Sequence, residues 1–397
     1  MIAWPAVFTD EPVRRTKSLH VLTLTPFYPS QDDDAQGCFV AEPLAWLAEQ
    51  GVTNTAMAVR PFYSARRVIS NDSAVPACWF SFFALPSGIG LSSSGRFLFT
   101  RIFPEVERLH RRRPIDLIHA HSALPCGHAA YLLSRKLGIP FVLTVHGLDA
   151  YFSRQVGGFS ATRCKRVSSL VYQEARSVVC VSEKVRDQVA GYVGKLGNTS
   201  VIYNGVDPQV FFPANDESET ILSVGSLIET KGHEILLRAM ASVGEIHPSL
   251  RCDIVGEGSK RNYLEKLSAD LGLSGKVRFL GRRSRSQVAE AMRRCKLFVL
   301  PSHYEGLGCV YLEAMSSGKV AVACRGQGIE EIIRHGVNGW LVAERDVQGL
   351  ATSLSFLLQE NNLRRSIGEA ARRTVLQHYT LQHQAARLSD LYWRSLS

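Results

Sequence analysis

The chain has 397 residues, of which 45% are hydrophobic and 21% charged, with a formal net charge of +10. That length suits two ordinary domains and is too great for one small core. Nine cysteines, an odd number without a CxxC pair or a Cys/His metal spacing, argue against a disulfide framework or a zinc ribbon and fit a reducing cytoplasm.

Residues 1–18 read as an N-terminal extension, in which Asp10 and Glu11 precede Arg14 and Arg15, the reverse of the charge order in a secretory signal. No apolar run reaches the length of a membrane span. The apolar run Leu19–Thr25 predicts the first strand, and a loop with Pro26, Pro29, Asp32, Asp33, Asp34 and Gly37 leads into a helix over 40–50. The three aspartates read as a solvated run. Segment 79–113 gathers Phe80, Phe82, Phe83, Phe97, Phe99 and Phe103 with Arg96, Arg101, Arg108 and the run Arg111, Arg112, Arg113. Two readings fit it: an element lying on an anionic bilayer, or a buried aromatic cluster with a solvated arginine face. Nothing there matches a nucleic-acid module.

Further strands are expected at 117–120, 141–145 and 178–181, with helices near 127–137 and 167–175. His119 and His121 alternate on one strand and share a face, yet no third ligand has a spacing that would make a metal site. His146 ends the strand at 141–145 and is followed by Gly147, so it is expected to face a cleft. Gly191, Gly194, Gly197 and Asn198 mark a boundary between lobes at 19–195 and 196–375. A second strand series starts at Val201 and continues at 220–224, 251–255, 276–280, 297–300 and 320–323. The stretch 233–243 between them carries one apolar helical stripe. Residues 376–397 read as a final helix. Strand–helix alternation of this kind predicts an α/β protein of two Rossmann-like lobes.

The stretch 300–322 carries the clearest functional signal. A buried strand ends at Pro301 and Ser302, Gly306 and Gly308 turn into a helix, and Glu305 and Glu313 stand about two helical turns apart. Free backbone N–H groups at the helix start suit a phosphate or sugar hydroxyls. Two carboxylates at that spacing could hold a sugar at one end and a ribose at the other, or they could be an acid in a capped first turn and a solvated residue on a surface helix.

This segment resembles the signature of glycosyltransferase family 4, a glutamate, seven residues and a second glutamate after a Pro-Ser pair. The resemblance extends through Tyr28-Pro29-Ser30 with Gly37, 116–121 (DLIHAH), 144–149 (TVHGLD), 201–207 (VIYNGVD), 224–227 (VGSL) with Lys231-Gly232, 254–258 (IVGEG), 277–281 (VRFLG) and 326–342. In order and spacing it spans roughly residues 19 to 380. It implies the GT-B architecture, two lobes facing across a cleft with the final helix crossing back to the first. The implied activity is metal-independent transfer of a hexose, with retained configuration, from a UDP- or GDP-sugar to a polysaccharide or lipid-linked glycan on the cytoplasmic face of a membrane, with no cofactor beyond that donor and no nucleic-acid partner. The first-lobe pattern is most similar to bacterial surface-polysaccharide enzymes.

By the same resemblance Lys231 binds pyrophosphate, Glu305 contacts the transferred sugar, Glu313 accepts the ribose hydroxyls, His146 lies beside the reacting sugar, and Gly37 lets its loop approach the phosphates. Backbone amides of Gly306, Leu307 and Gly308 would hold hydroxyls and phosphate. The family's arginine five positions before the lysine is Ser226 here, so a nearby arginine such as Arg282 is expected to supply the charge, or phosphate geometry differs. Asp32, Asp33 and Asp34 contain the manganese-binding pattern of the other main glycosyltransferase fold, but not in that fold's setting. A sugar-nucleotide epimerase of the same fold would lack the paired glutamates. A non-catalytic partner protein finds support in Ser226 alone.

Overall fold

The computed structural model describes residues 18–397 apart from 31–32, 65–74, 86–89, 152–157 and 215, so that most of the N-terminal extension lies outside the described residues. Among these the strands form two parallel sheets. The first is built from β1 (Leu19–Thr25), β2 (Val52–Pro61), β3 (Ala77–Phe82), β4 (Leu117–His121), β5 (Phe141–Val145), β6 (Ser177–Cys180) and β7 (Thr199–Val201) in the order β3-β2-β1-β4-β5-β6-β7. The second takes β8 (Thr220–Val224), β9 (Arg251–Val255), β10 (Val277–Gly281), β11 (Leu297–Val299), β12 (Ala321–Cys324) and β13 (Trp340–Val342) in the order β10-β9-β8-β11-β12-β13. Both contain the doubly wound 3-2-1-4-5-6 arrangement. The central strands are buried on both faces, which is why they read as unbroken apolar runs.

The helices of the first lobe are α1 (Cys38–Glu49), α2 (Leu91–Arg112), α3 (His128–Leu137), α4 (Gly158–Glu174) and α5 (Glu183–Val193). Those of the second are α6 (His233–Ile246), α7 (Arg261–Asp270), α8 (Arg285–Arg294), α9 (Cys309–Ser316), α10 (Val347–Gln359) and α11 (Asn361–His378). A last helix, α12 (Leu381–Leu396), returns to the first lobe. Its Ala385, Leu388, Leu391 and Tyr392 join Val21, Leu44, Leu47 and Val142 in one apolar cluster. Thr380 starts it with a capping box, and Leu381 N–H donates to the Val206 carbonyl at 3.1 Å.

Several elements differ from the sequence expectation, the helix expected near 167–175 among them, which begins at Gly158. Val201 closes the first sheet as part of β7, pairing with Cys180, so the chain passes between the sheets after Val201 and before Thr220. Its three residues are only partly buried, and nothing local distinguishes an edge strand from a linker. The returning helix starts at Leu381, because α11 continues through His378. Strand β2 lies in a stretch for which the sequence predicts no element, and β3 leads into the aromatic segment; alternation in β2 is broken by Asn54 and by its four consecutive buried residues.

In segment 79–113 the aromatic residues divide between core and surface. Phe82 is buried, Phe80, Phe99 and Phe103 are half-buried against the core, and Phe83 and Phe97 are exposed. The last two stand edge to face at 5.1 Å, and Phe83 stacks on exposed Phe62 at 5.7 Å. Among the described residues no helix is long and apolar enough to cross a membrane.

Candidate active site

In a doubly wound sheet the strand order reverses beside the first strand, and the loops leaving the carboxyl ends there open a crevice. In this protein the loops after β1, β5 and β6 meet the segments after β8, β10 and β11. They enclose a cavity of about 330 Å³ lined by residues of both lobes, among them Cys38, Phe39, His146, Ser226, Lys231, Arg285, Glu305 and Glu313.

The second lobe supplies most of the polar groups. Lys231 leaves a short 3-10 turn and gives its ammonium to Glu305 Oε1 at 2.5 Å. Ser302 donates to the same oxygen at 3.0 Å, so two donors fix one oxygen of this buried carboxylate, and the Glu305 backbone N–H is held by Gln327 Oε1 at 2.8 Å. Gly306, Leu307 and Gly308 line the cavity, and Gly308, with φ at 87°, precedes α9. Ser226 also lines it, bringing no charge beside Lys231. Glu313 is buried on α9 and accepts from Arg285 Nη1 at 2.5 Å.

The first lobe supplies histidines. The His146 ring sits between Phe27 and Phe39, with centroids 5.6 and 4.7 Å away. Its backbone N–H donates to Asp149 Oδ1 at 2.9 Å, and the Gly147 N–H donates to the same oxygen at 2.7 Å, fixing the loop at the strand end. His146 Nε2 meets His121 Nδ1 at 3.0 Å, while its Nδ1 has no hydrogen-bond partner among the described residues. Behind them His119 bonds Tyr392 at 2.7 Å and Thr144 at 2.7 Å. Burial holds His146 down to about 3, with a smaller push from His119, and burial holds His119 down to about 3. Both imidazoles are therefore neutral near pH 7, and His146 can offer or accept a hydrogen bond but carries no charge. Among the described residues no group of three His, Cys, Asp or Glu is arranged to hold a metal ion.

The structure brings His146, Ser226, Lys231, Glu305, Gly306, Leu307, Gly308 and Glu313 together at one cavity. Gly37 stands behind its wall: it caps α1 with φ at 78°, and a Cβ there would overlap the backbone of Phe27 and Tyr28. Its neighbours Ala35 and Cys38 line the cavity instead. Arg282 is a correction. Its side chain is 47% exposed and pairs with Asp33, away from the cavity lining. Arg285, at the start of α8 and 16% exposed, is the arginine that reaches the cavity. Of the aspartate run, Asp32 lies outside the described residues, Asp34 is exposed as expected yet accepts the Arg285 N–H at 2.9 Å, and only Asp33, paired with Arg282, departs from the solvated reading. These pairs join residues some 250 positions apart (251 for Asp34 and Arg285), a separation that leaves no local signal.

Around the cavity the lobes touch directly. Ser182 donates to the Gly306 carbonyl at 2.6 Å, and Lys184 donates to Gln327 Oε1 at 2.6 Å. Glu331 accepts the Glu183 and Lys184 N–H groups at the start of α5, each at 2.8 Å.

Known proteins share this plan. A family model described as Glycosyltransferase Family 4 matches residues 47–210, and one described as Glycosyl transferases group 1 matches residues 209–374. The chain is 31% identical over 256 residues to an uncharacterized glycosyltransferase of Methanocaldococcus jannaschii, covering 64% of this chain and 69% of that protein. It is 28% identical over 337 residues to a D-inositol 3-phosphate glycosyltransferase of Corynebacterium aurimucosum, covering 79% of this chain and 78% of that one. Sucrose-phosphate synthase from Thermosynechococcus elongatus superposes with a TM-score of 0.76 at 20% identity, covering 95% of this chain and 98% of that one. The Anabaena HepE complex with UDP-glucose does so with a TM-score of 0.71 at 22% identity, covering 94% and 99%. With one family model on each lobe and the paired glutamates facing the cleft between them, the chain belongs to the family 4, group 1 glycosyltransferases and has the GT-B fold.

Proposed function

We propose that this glycosyltransferase moves a hexose from a UDP- or GDP-sugar, with retained anomeric configuration and without a metal ion, to a polysaccharide or lipid-linked glycan. The observation that carries the reading is the convergence of Lys231, Glu305, the 306–308 amides and Glu313 from one lobe on His146 from the other. HepE, of the same fold, has been captured with UDP and with UDP-glucose.

In the proposed reaction the anomeric C–O bond to the diphosphate breaks as a bond to the acceptor oxygen forms on the same face. The acceptor's proton passes to the departing phosphate oxygen, and the products are the glycoside and a nucleoside diphosphate. Charge growing on that phosphate is met by the Lys231 ammonium and the peptide N–H groups leading into α9, donors already oriented before the bond stretches. Glu305 receives sugar hydroxyls and Glu313 the ribose hydroxyls, each carboxylate offering several acceptor sites. Neutral His146 hydrogen-bonds a sugar hydroxyl or the phosphate through the nitrogen His121 leaves free.

The acceptor would approach from the first lobe. There the exposed aromatic patch of Phe62, Tyr63, Phe83 and Phe97, with Arg96 and Arg101 on the outward side of α2, supports peripheral contact with an anionic membrane, at its cytoplasmic face. Flotation with phosphatidylglycerol vesicles tests it: binding should fall when Phe83 and Phe97 are changed to serine, and equal flotation would remove the proposal.

The reaction is tested by donor hydrolysis over UDP-glucose, UDP-galactose, UDP-N-acetylglucosamine and GDP-mannose, with and without chelator, and by the anomeric coupling constant of the product. Turnover that survives chelation and a retained anomer are expected. An inverted product, or activity lost on chelation and restored by a divalent ion, would overturn the mechanism.

A further inference from the structure

One ion cluster at the cleft edge includes two residues to which the family resemblance assigns no role. Arg285 of the second lobe makes a two-pronged pair with Glu42 of α1, Nε to Oε1 at 2.6 Å and Nη2 to Oε2 at 2.9 Å. Its remaining terminal nitrogen, Nη1, donates to Glu313 Oε1 at 2.5 Å. The guanidinium lies 4.7 Å over the Phe211 ring, and the Asp34 carboxylate holds its backbone N–H. All three guanidinium nitrogens are thus committed, and the plane of the group is fixed on one face by an aromatic ring.

We propose that Glu42 is a positioning residue for the ribose end of the donor site, acting from the opposite lobe through Arg285 upon Glu313. The inference rests on reading Glu313 as the ribose acceptor. A guanidinium that forks onto one carboxylate has one donor edge left, so Glu42 dictates where Nη1 points and restricts it to a single oxygen of Glu313. Oε2 is the oxygen left for a ligand. Without Glu42, Arg285 is free to turn its fork onto Glu313, occupying both oxygens and competing with the ribose hydroxyls. One guanidinium is shared by two carboxylates, and burial, against the lowering by Arg285 and with a smaller push from Glu313, raises the Glu42 pKa. Because Glu42 belongs to the first lobe and Glu313 to the second, this ribose geometry exists only when the lobes are together. Ribose recognition and cleft closure would therefore be coupled through one side chain.

A ligand cycle separates this role from general support of the fold. UDP and GDP are titrated calorimetrically into the wild type, and the one that binds is compared with its 2′,3′-dideoxy counterpart in the wild type, Glu42→Ala, Glu42→Gln and Asp33→Ala, each checked by thermal unfolding. Glu42→Ala should weaken the ordinary nucleotide about tenfold and leave the dideoxy form within about twofold. Asp33→Ala, which removes the neighbouring Arg282 pair without touching the Arg285 guanidinium, should leave the ratio of the two affinities unchanged. Equal weakening of both nucleotides by Glu42→Ala, no weakening of either, or a hydroxyl-dependent loss in Asp33→Ala would overturn the inference. Should the alanine variant not fold, Glu42→Gln is read in the same way. A wild type that binds neither UDP nor GDP, or that fails to distinguish the dideoxy form, would overturn the functional reading beneath it.

Discussion

Replacing Gly306 by alanine tests whether turnover needs the two lobes in backbone contact. A Cβ at 306 would overlap the carbonyl oxygen of His146 and stand 3.2 Å from both the His146 carbonyl carbon and Gly147 Cα. None of these is the end of a flexible side chain that could turn aside. Restoring ordinary carbon contact distances requires the lobes to part by about 1 Å at this point. The Ser182 hydrogen bond to the Gly306 carbonyl, 2.6 Å long, would stretch with them. Alanine keeps the backbone amide, so on the proposed reading the second lobe keeps its own donor contacts, Lys231 and Glu313 among them. A displacement of about 1 Å between reacting groups costs on the order of 100-fold in rate. Gly306→Ala should therefore lower kcat for donor hydrolysis by about two orders of magnitude while nucleotide affinity, measured by calorimetry, changes by less than about threefold. A variant with unchanged kcat would show that the contact is not needed for turnover. One that lost nucleotide affinity in the same proportion would show that the residue serves the donor site alone.

Two other outcomes follow from the electrostatics. Burial lowers His119 and His146 to about 3 and His128 and His233 to about 4, from about 6.5 when unfolded. Below about pH 6.5 the unfolded chain binds protons that the native chain refuses, so stability is complete above that pH and declines down to about pH 4 for His128 and His233 and about pH 3 for His119 and His146, by up to about 1.4 kcal/mol per pH unit for each histidine. Glu42, raised by burial, opposes this as a single carboxylate. Urea midpoints should drop between pH 7.5 and 5.0; a flat or rising profile would show that these imidazoles are accessible to protons in the native state. Ser226→Arg should restore a second cation beside Lys231 at the cavity wall, tightening a nucleoside diphosphate about tenfold and leaving the nucleoside unchanged. Equal affinities in variant and parent would mean that position 226 does not face the diphosphate.

What could be read from the sequence was local, and what escaped was tertiary. Strands such as β5 and β11 are buried on both faces by the helices that cross over them, so each stands out as an apolar run. Glu305 and Glu313 could be placed because one strand–turn–helix unit fixes both. His146 was legible for the same reason, as a strand-end residue before a glycine. Arg285 had no such marker. It is the first residue of a helix with many arginines, where a charged side chain ordinarily points to water, and its partner Glu42 is 243 positions away. Arg282, three residues earlier, is indistinguishable from it by composition; only the direction of α8 decides which of the two enters the cleft. Asp33 of the first loop escaped for the reason that governs Glu42: an acid looks solvated until the opposite lobe brings its arginine.

The two edges of the cleft are held together by interactions of different range, and this bears on how the lobes can separate. At Gly306 the contact is between backbones, with one hydrogen bond from Ser182 beside it; both are short-ranged, a gap of about 1 Å already forfeiting up to about half of the van der Waals attraction. At Arg285 the contact is between charges, and Coulomb attraction declines only in inverse proportion to distance while water entering the gap restores the hydration that burial removed. Opening at the ionic edge is thus graded and partly offset by solvation, whereas the glycine edge loses its shorter-ranged contacts over a smaller separation. A donor entering between the lobes would meet least resistance on the Arg285 side, where Glu313 waits, and the glycine contact would form last, when His146 and the loop bearing Glu305 come together. On that sequence of events Glu42→Ala acts on binding and Gly306→Ala on turnover. The separation of those two effects is what an orderly closing of the cleft, ionic edge first, requires.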